Sequence, residues 1–239
     1  MKRFVILGLP RSGSTYLMTL LDAHRDVSCA GEQFNPYAVI DQGEGDRSHE
    51  AVLGRDRDPV AHMHAFFARQ EARGYACGGF KFMIGHNLKV LQELAATPDL
   101  SIIYLWRENK LAQASSFLKA VQTKKWAQTR ADDHLTRKIV ANPRQISQLW
   151  HEYATFDHLI SMWLEALPNP KITYEYREMF QPGFEPDVCE FLGVPHHPRM
   201  KSRLIKQGST DMMERFEDPH PIRYYFTELG LRRWMEEAL

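Results

Sequence analysis

Cysteine is scarce: Cys29, Cys77 and Cys189 are the only three, far apart, with no C-x-x-C among them. That spacing supports neither a zinc site nor a disulfide framework, and buried free thiols are the expectation. Excess charge of either sign is also absent, since 30 Lys and Arg stand against 30 Asp and Glu. Nothing global therefore points to nucleic acid or an anionic membrane surface, and any anion site must be local. Long apolar runs are missing too. The first one, from Phe4, meets Pro10 and Arg11 after six residues and has no small-residue cleavage site behind it. That excludes a secretory signal core, and no other run approaches the about 20 residues of a membrane span. A soluble cytoplasmic chain without stable membrane insertion is the expectation. There is no repeat, low-complexity tract or linker, and 239 residues suit a single α/β domain covering 1–239.

What is present alternates between two periods. Residues 4–8 and 101–106 (SIIYLW) are short apolar runs that predict buried strands; 78–83 is a third such run with Lys81 inside it, and 171–176 (KITYEY) alternates like a strand. Helical patterns cover 14–24, 88–97 before Pro98, 110–126, 143–167, 187–192 before Gly193, and the tail from 224. Strands alternating with helices predict a mostly parallel sheet covered by helices on both faces, joined by right-handed crossovers. Ligands of such sheets gather at the carboxyl ends of the strands. Residues 41–60 and 127–142 are polar with little periodicity. Both are expected as surface loops, the first mobile or acceptor-binding.

The first strand runs into Gly8-Leu9-Pro10-Arg11-Ser12-Gly13-Ser14-Thr15 and then a helix. This strand–loop–helix arrangement is that of a phosphate-binding loop, which gives the fold class: α/β, P-loop NTPase-like. The backbone N–H groups of Ser12, Gly13, Ser14 and Thr15 make an anion nest at a positive helix end. The Ser14 and Thr15 hydroxyls add donors, and Arg11 supplies a guanidinium fork. The lysine of G-x-x-x-x-G-K-[ST] is missing, replaced by Ser14. Likewise SIIYLW ends in Trp106-Arg107, where a magnesium-using NTPase usually carries an aspartate. A cation at that edge suits a second anionic group, and Ser115 follows two helical turns later.

Taken together, Pro10-Arg11-Ser12-Gly13-Ser14-Thr15 and the eight-residue Arg107/Ser115 spacing resemble the PAPS-dependent sulfotransferases (PAPS is 3′-phosphoadenosine 5′-phosphosulfate). In that family a P-[RK]-S-G-[ST]-[ST] loop grips the 5′-phosphosulfate, and an Arg with a Ser eight residues on grips the 3′-phosphate. Tyr176-Arg177-Glu178-Met179 resembles its Y-E-D-L segment, whose tyrosine lies near the adenine, and Phe191-Leu192-Gly193-Val194 its F-L-G-V stretch. Gly31-Glu32, Leu111-Ala112-Gln113-Ala114-Ser115 and Gln122-Thr123-Lys124-Lys125-Trp126 carry a further likeness to the bacterial carbohydrate members, of nodulation and trehalose type.

The resemblance implies an enzyme of the EC 2.8.2 type. It would move a sulfuryl group from PAPS to a small-molecule or carbohydrate hydroxyl by in-line displacement, release adenosine 3′,5′-bisphosphate and use no metal. Arg11, Ser12, Gly13, Ser14, Thr15, Arg107, Ser115, Tyr176 and Lys206 would bind the cofactor, with Arg203 and Arg215 alternatives to Lys206. Arg11 and Lys81 would stabilise charge in transfer. The K-T-H of the cytosolic small-molecule members reads Lys81-Phe82-Met83 here, so the histidine base is absent. Glu32 is the expected base and His86 the alternative. Phe34, Tyr37, Trp126 and Trp150 could face a sugar, or pack in the core. Two other classes stay open on residues alone: a P-loop nucleotide kinase, and a nucleotide-binding protein without catalysis.

Overall fold

The computed structural model describes residues 1–41, 45–126, 137–204 and 209–237. Among the described residues five strands form one parallel sheet: β1 (Lys2–Gly8), β2 (Val27–Glu32), β3 (Cys77–Met83), β4 (Ser101–Trp106) and β5 (Lys171–Glu175), in the order β2-β3-β1-β4-β5. β1 and β4 are almost wholly buried, which is why they read as continuous apolar runs rather than alternating ones. The strand order reverses direction around β1, and such switch points open ligand crevices at the carboxyl edge.

The chain divides into two compact units. The first comprises Met1–Leu9, Gly13–Trp106 and Trp163–Ser202, and the second Pro10–Ser12, Arg107–Met162 and Arg203–Leu239. The first holds the sheet. On one face α1 (Ser14–Asp22) and α7 (Phe184–Leu192) bury Leu17, Leu20, Val188 and Leu192 against Phe4, Ile6 and Ile103. Phe80 points to the other face, where Phe66 and Phe67 of α3 (Pro59–Ala72) stack on it with centroids 5.4 and 5.6 Å away. α4 (Leu88–Ala96) packs against α3. In the second unit α5 (Lys110–Thr123), most of α6 (Pro143–Ala166) and α8 (His220–Glu228) enclose their own core of Leu111, Ile146, Phe216, Phe226 and Trp234. Among the described residues, no helix is long and apolar enough to cross a membrane.

One strand was not foreseen and one expectation is corrected. β2 is not legible as a strand, because Val27–Glu32 is short and mostly small residues. Residues 41–60 are not one loop: α2 (His49–Arg57) lies inside them. Its N-terminus is capped by Ser48, whose hydroxyl accepts the Ala51 N–H, and α3 starts on Asp58 with Pro59 in its first turn. α2 escapes a periodicity search because its one buried residue is an arginine, Arg55. Residues 42–44, and 127–136 of the second predicted loop, lie outside the described residues.

Candidate active site

The loop after β1 owes its shape to two left-handed residues, Arg11 at φ 66° and Gly13 at φ 93°. Arginine tolerates that region poorly, whereas glycine enters it without a Cβ clash. A Cβ at Gly13 would also lie 2.4 Å from Met179 Cε and 2.7 Å from the Tyr176 ring, so only glycine fits under them. Tyr176 is placed there by the 3-10 turn Tyr176–Phe180 directly after β5, fixed by a capping box between Glu175 and Glu178. α1 begins at this loop with no side chain capping it. Its hydrogen-bond ladder starts with Leu17 N–H to the Gly13 carbonyl, so the preceding first-turn N–H groups lack intrahelical acceptors. Ser12 Oγ is fully buried and has no hydrogen-bond partner.

In the first unit four expected residues converge. Glu32 ends β2, and register places it beside Lys81 on β3. Lys81 Nζ is shared between Glu32 Oε1 at 2.7 Å and the Thr15 hydroxyl at 2.8 Å, so one buried ammonium links loop and carboxylate. Glu32 Oε2 accepts a bond from Asn35 Nδ2 at 2.5 Å, and His86 Nε2 stands 3.9 Å from it. Burial pushes the Glu32 carboxyl toward the neutral form. The Lys81 charge and hydrogen bond, the Asn35 amide and the His86 ring outweigh it and hold the pKa below the ordinary value. Burial shifts His86 down against the opposing pull of Glu32, and the nearby Lys81 and Arg55 charges add to the downward shift. It is a neutral imidazole at neutral pH, and its buried Nδ1 has no partner.

In the second unit the expected cations are engaged by protein groups. Arg11 Nε donates to Ser116 Oγ at 2.8 Å and its Nη1 to the Trp126 carbonyl at 2.5 Å. Arg107 grips Glu237 with both arms of its fork, Nε to Oε1 at 2.9 Å and Nη2 to Oε2, while Nη1 donates to the Arg11 carbonyl at 3.3 Å. Ser115 Oγ donates to the Ala112 carbonyl and accepts from Arg215 Nη1, each at 3.0 Å. Gln113 Nε2 donates to the Pro10 carbonyl at 2.9 Å, and a buried Lys110–Asp157 pair lies behind it. Lys206 lies outside the described residues.

Sequence reading missed Asn35, Glu237, and the Lys110–Asp157 pair. Nothing marks them in one dimension, because each acts on a partner distant in sequence or across a turn. Of the four aromatics, Phe34 is core, against Phe80 and Phe82, and Trp150 packs edge-on to Trp234 at 5.1 Å. Tyr37 and Trp126 are open to solvent, at 81% and 52% exposure. Cys29, Cys77 and Cys189 are buried free thiols.

Chemically, these residues offer an anion nest with unspent donors, an ammonium beside it, and an ionised carboxylate on that same ammonium. A family model described as "Sulfotransferase family" matches residues 3–198. Nodulation protein H of Rhizobium meliloti (strain 1021) is 24% identical, covering 98% of this chain and 95% of its own. Nodulation protein H of Rhizobium tropici is 24% identical over 89% of this chain and 84% of its own. Among solved structures, a sulfotransferase from Alicyclobacillus acidocaldarius superposes with TM-score 0.54 at 18% identity, covering 99% of this chain and 96% of that one. The sulfotransferase domain of the Synechococcus PCC 7002 olefin synthase gives 0.51 at 15%, covering 99% and 88%. These two likenesses concern the fold.

Proposed function

The chain belongs to the sulfotransferase family, and on that premise we propose that its donor is PAPS and its acceptor a carbohydrate hydroxyl. It is an enzyme of sulfuryl transfer. The observation that carries the finer reading is Lys81, held at once by the phosphate-loop residue Thr15 and by Glu32. That arrangement supports reading Glu32 as a proton acceptor and the loop as an anion site that share one ammonium.

Two features support a donor phosphosulfate on the loop. Ser12 Oγ is buried without a partner, and the first-turn N–H groups of α1 have no side-chain cap. Ser12, Gly13, Ser14 and Thr15 would hold it, with Arg11. By the motif likeness, Arg107 and Ser115, joined by Arg215 or Lys206, take the 3′-phosphate and Tyr176 the adenine. The bound donor supplies the sulfuryl group: a bond forms from the acceptor oxygen to sulfur, and the bond from sulfur to the phosphate oxygen breaks.

The chain's own contribution is position and charge. Glu32 accepts the proton of the acceptor hydroxyl, a role worth about 10²–10⁴-fold in rate for a placed base. Lys81 holds Glu32 ionised in the free protein. Turning its charge to an anion on the loop relieves the carboxylate of its main cation and raises its basicity. His86, neutral and 3.9 Å away, is the second candidate base. The nucleotide kinase reading is disfavoured by Ser14 in the lysine position and Arg107 after β4.

A carbohydrate acceptor is supported by the likeness of the Gly31-Glu32 and 111–126 segments to bacterial carbohydrate members, and by Tyr37 and Trp126, aromatic faces open to a sugar ring. The test is a screen of oligosaccharides with labelled PAPS in EDTA, beside ATP–magnesium with the same acceptors. Label appearing on an oligosaccharide from PAPS is the expected result. Phosphorylation from ATP, with no sulfation, would sink the reading.

A further inference from the structure

Glu32 is the last residue of β2, and the chain turns at once into residues 33–38, which belong to no helix or strand. Loops carrying catalytic groups need something rigid to set them. Here α2 does it. Arg55 is 3% exposed, and its Nη1 gathers three carbonyls of this loop: Asn35 at 2.6 Å, Gln33 at 3.2 Å and Ala38 at 3.3 Å. Its Nε donates to Asp56 at 2.8 Å. Three backbone oxygens drawn onto one guanidinium nitrogen fix the curvature of the loop.

Asn35 lies inside that curve. Its Oδ1 accepts the Tyr37 N–H at 2.9 Å, so its amide nitrogen must face the other way, and it donates to Glu32 Oε2 at 2.5 Å. The loop also returns to β2, because the Asn35 and Ile40 N–H groups donate to the Glu32 carbonyl at 3.2 and 3.3 Å. Lys81 occupies Oε1. The carboxylate is thus held at both oxygens, on one side from β3 and on the other from a loop pinned by α2.

We infer that Asn35 and Arg55 are positioning residues for the proton-accepting carboxylate: Asn35 orients Glu32 directly, and Arg55 acts through Asn35 by setting the 33–38 loop. This rests on the reading of Glu32 as the base. The charged and titratable groups facing Glu32 are Lys81 of β3 and His86 of the turn after it; Arg55 adds its charge to the field at His86.

The test has two readouts. The first needs no acceptor: the Glu32 carboxyl carbon is titrated by NMR in protein labelled at the glutamate side-chain carboxyl, with E32Q identifying the resonance. N35A removes a donor to the ionised form, and near-isosteric N35D sets a second carboxylate against it. Both are expected to move the Glu32 titration to higher pH, N35D further. The second readout is transfer from PAPS to the oligosaccharide found in the acceptor screen. Its acid limb is expected to follow the NMR shift, with the donor KM within about twofold and kcat lowered about ten- to a hundredfold, as for a lost hydrogen bond to a charged group. R55Q is expected to lower kcat in the same way and R55K to recover part of it, since lysine keeps the charge but not the fork.

A Glu32 titration unmoved in both N35A and N35D overturns the inference. A titration that moves while the acid limb stays removes Glu32 as the base, and the inference with it. N35D keeps the side-chain shape, so the test stands if R55Q fails to fold.

Discussion

Glu237→Gln isolates the pairing that governs Arg107. The guanidinium is 4% exposed and the carboxylate 2%, and they meet fork to fork. The segment carrying Glu237 is strapped in place. Asn109 Nδ2 donates to the Trp234 carbonyl at 3.0 Å, Met212 N–H to the Met235 carbonyl at 2.8 Å, and Glu237 N–H to the Thr210 carbonyl at 2.9 Å. The glutamine keeps the shape and one acceptor but removes the counter-charge from a buried cation. Breaking a buried pair costs about 3–5 kcal/mol, and the surviving acceptor puts this case near about 3. At about 2–4 °C per kcal/mol for a chain of this size, melting should fall by roughly 6–12 °C. The assay is a thermal melt with adenosine 3′,5′-bisphosphate, with adenosine 5′-phosphate, and with neither. An anion that takes Arg107 replaces the lost charge, so the 3′-phosphate nucleotide should raise the melting temperature more in the variant than in the wild type. The 5′-phosphate alone should raise both equally. An unchanged melting temperature without nucleotide refutes the energetic argument. Equal responses to the two nucleotides would remove Arg107 from the donor site.

Gly13→Ala forces a Cβ onto the Tyr176 ring and Met179 at a left-handed φ. The backbone alone costs about 1–2 kcal/mol and the overpacking about 1–3 more, so both urea stability and nucleotide affinity should drop; wild-type values for both would contradict the close packing of Tyr176 and Met179 over Gly13. The Glu32 carboxyl is lower in pKa when folded than unfolded. Its pairing therefore contributes stability above the ordinary glutamate pKa, near 4.5, and that contribution is lost as pH falls through the lower folded value. Lys81→Met should abolish this part of the acid dependence in denaturant titrations, and an unaltered pH profile would mean the pair contributes nothing. Burial holds the Cys29 thiol well above its usual pKa, so it should resist alkylation in the native protein and react on unfolding.

The loop was the most legible part of this chain, because its chemistry is local: a strand, a left-handed turn that needs Gly13, and a helix start lie within a dozen residues. Arg107 and Ser115 were legible as a spacing, the first between β4 and α5 and the second on α5. What surrounds them was not. Glu237 reaches Arg107 from 130 positions away, and no pattern of periodicity encodes that. β2 was hidden because small residues pair as well as β-branched ones when the sheet covers them. α2 was hidden because a helix that buries an arginine on backbone carbonyls leaves no apolar stripe to read. Lys81 was visible as a charge inside an apolar strand, but its sharing between Thr15 and Glu32 required the β2–β3 register.

Glu32 as the acceptor of the hydroxyl proton during sulfuryl transfer from PAPS is tested by single-turnover transfer from labelled PAPS in E32Q, with the dissociation constant of adenosine 3′,5′-bisphosphate measured on the same samples. The expected result is a rate lower by about 10²–10⁴-fold with nucleotide affinity within about twofold of the wild type. Transfer at the wild-type rate with unchanged affinity would remove Glu32 as the base.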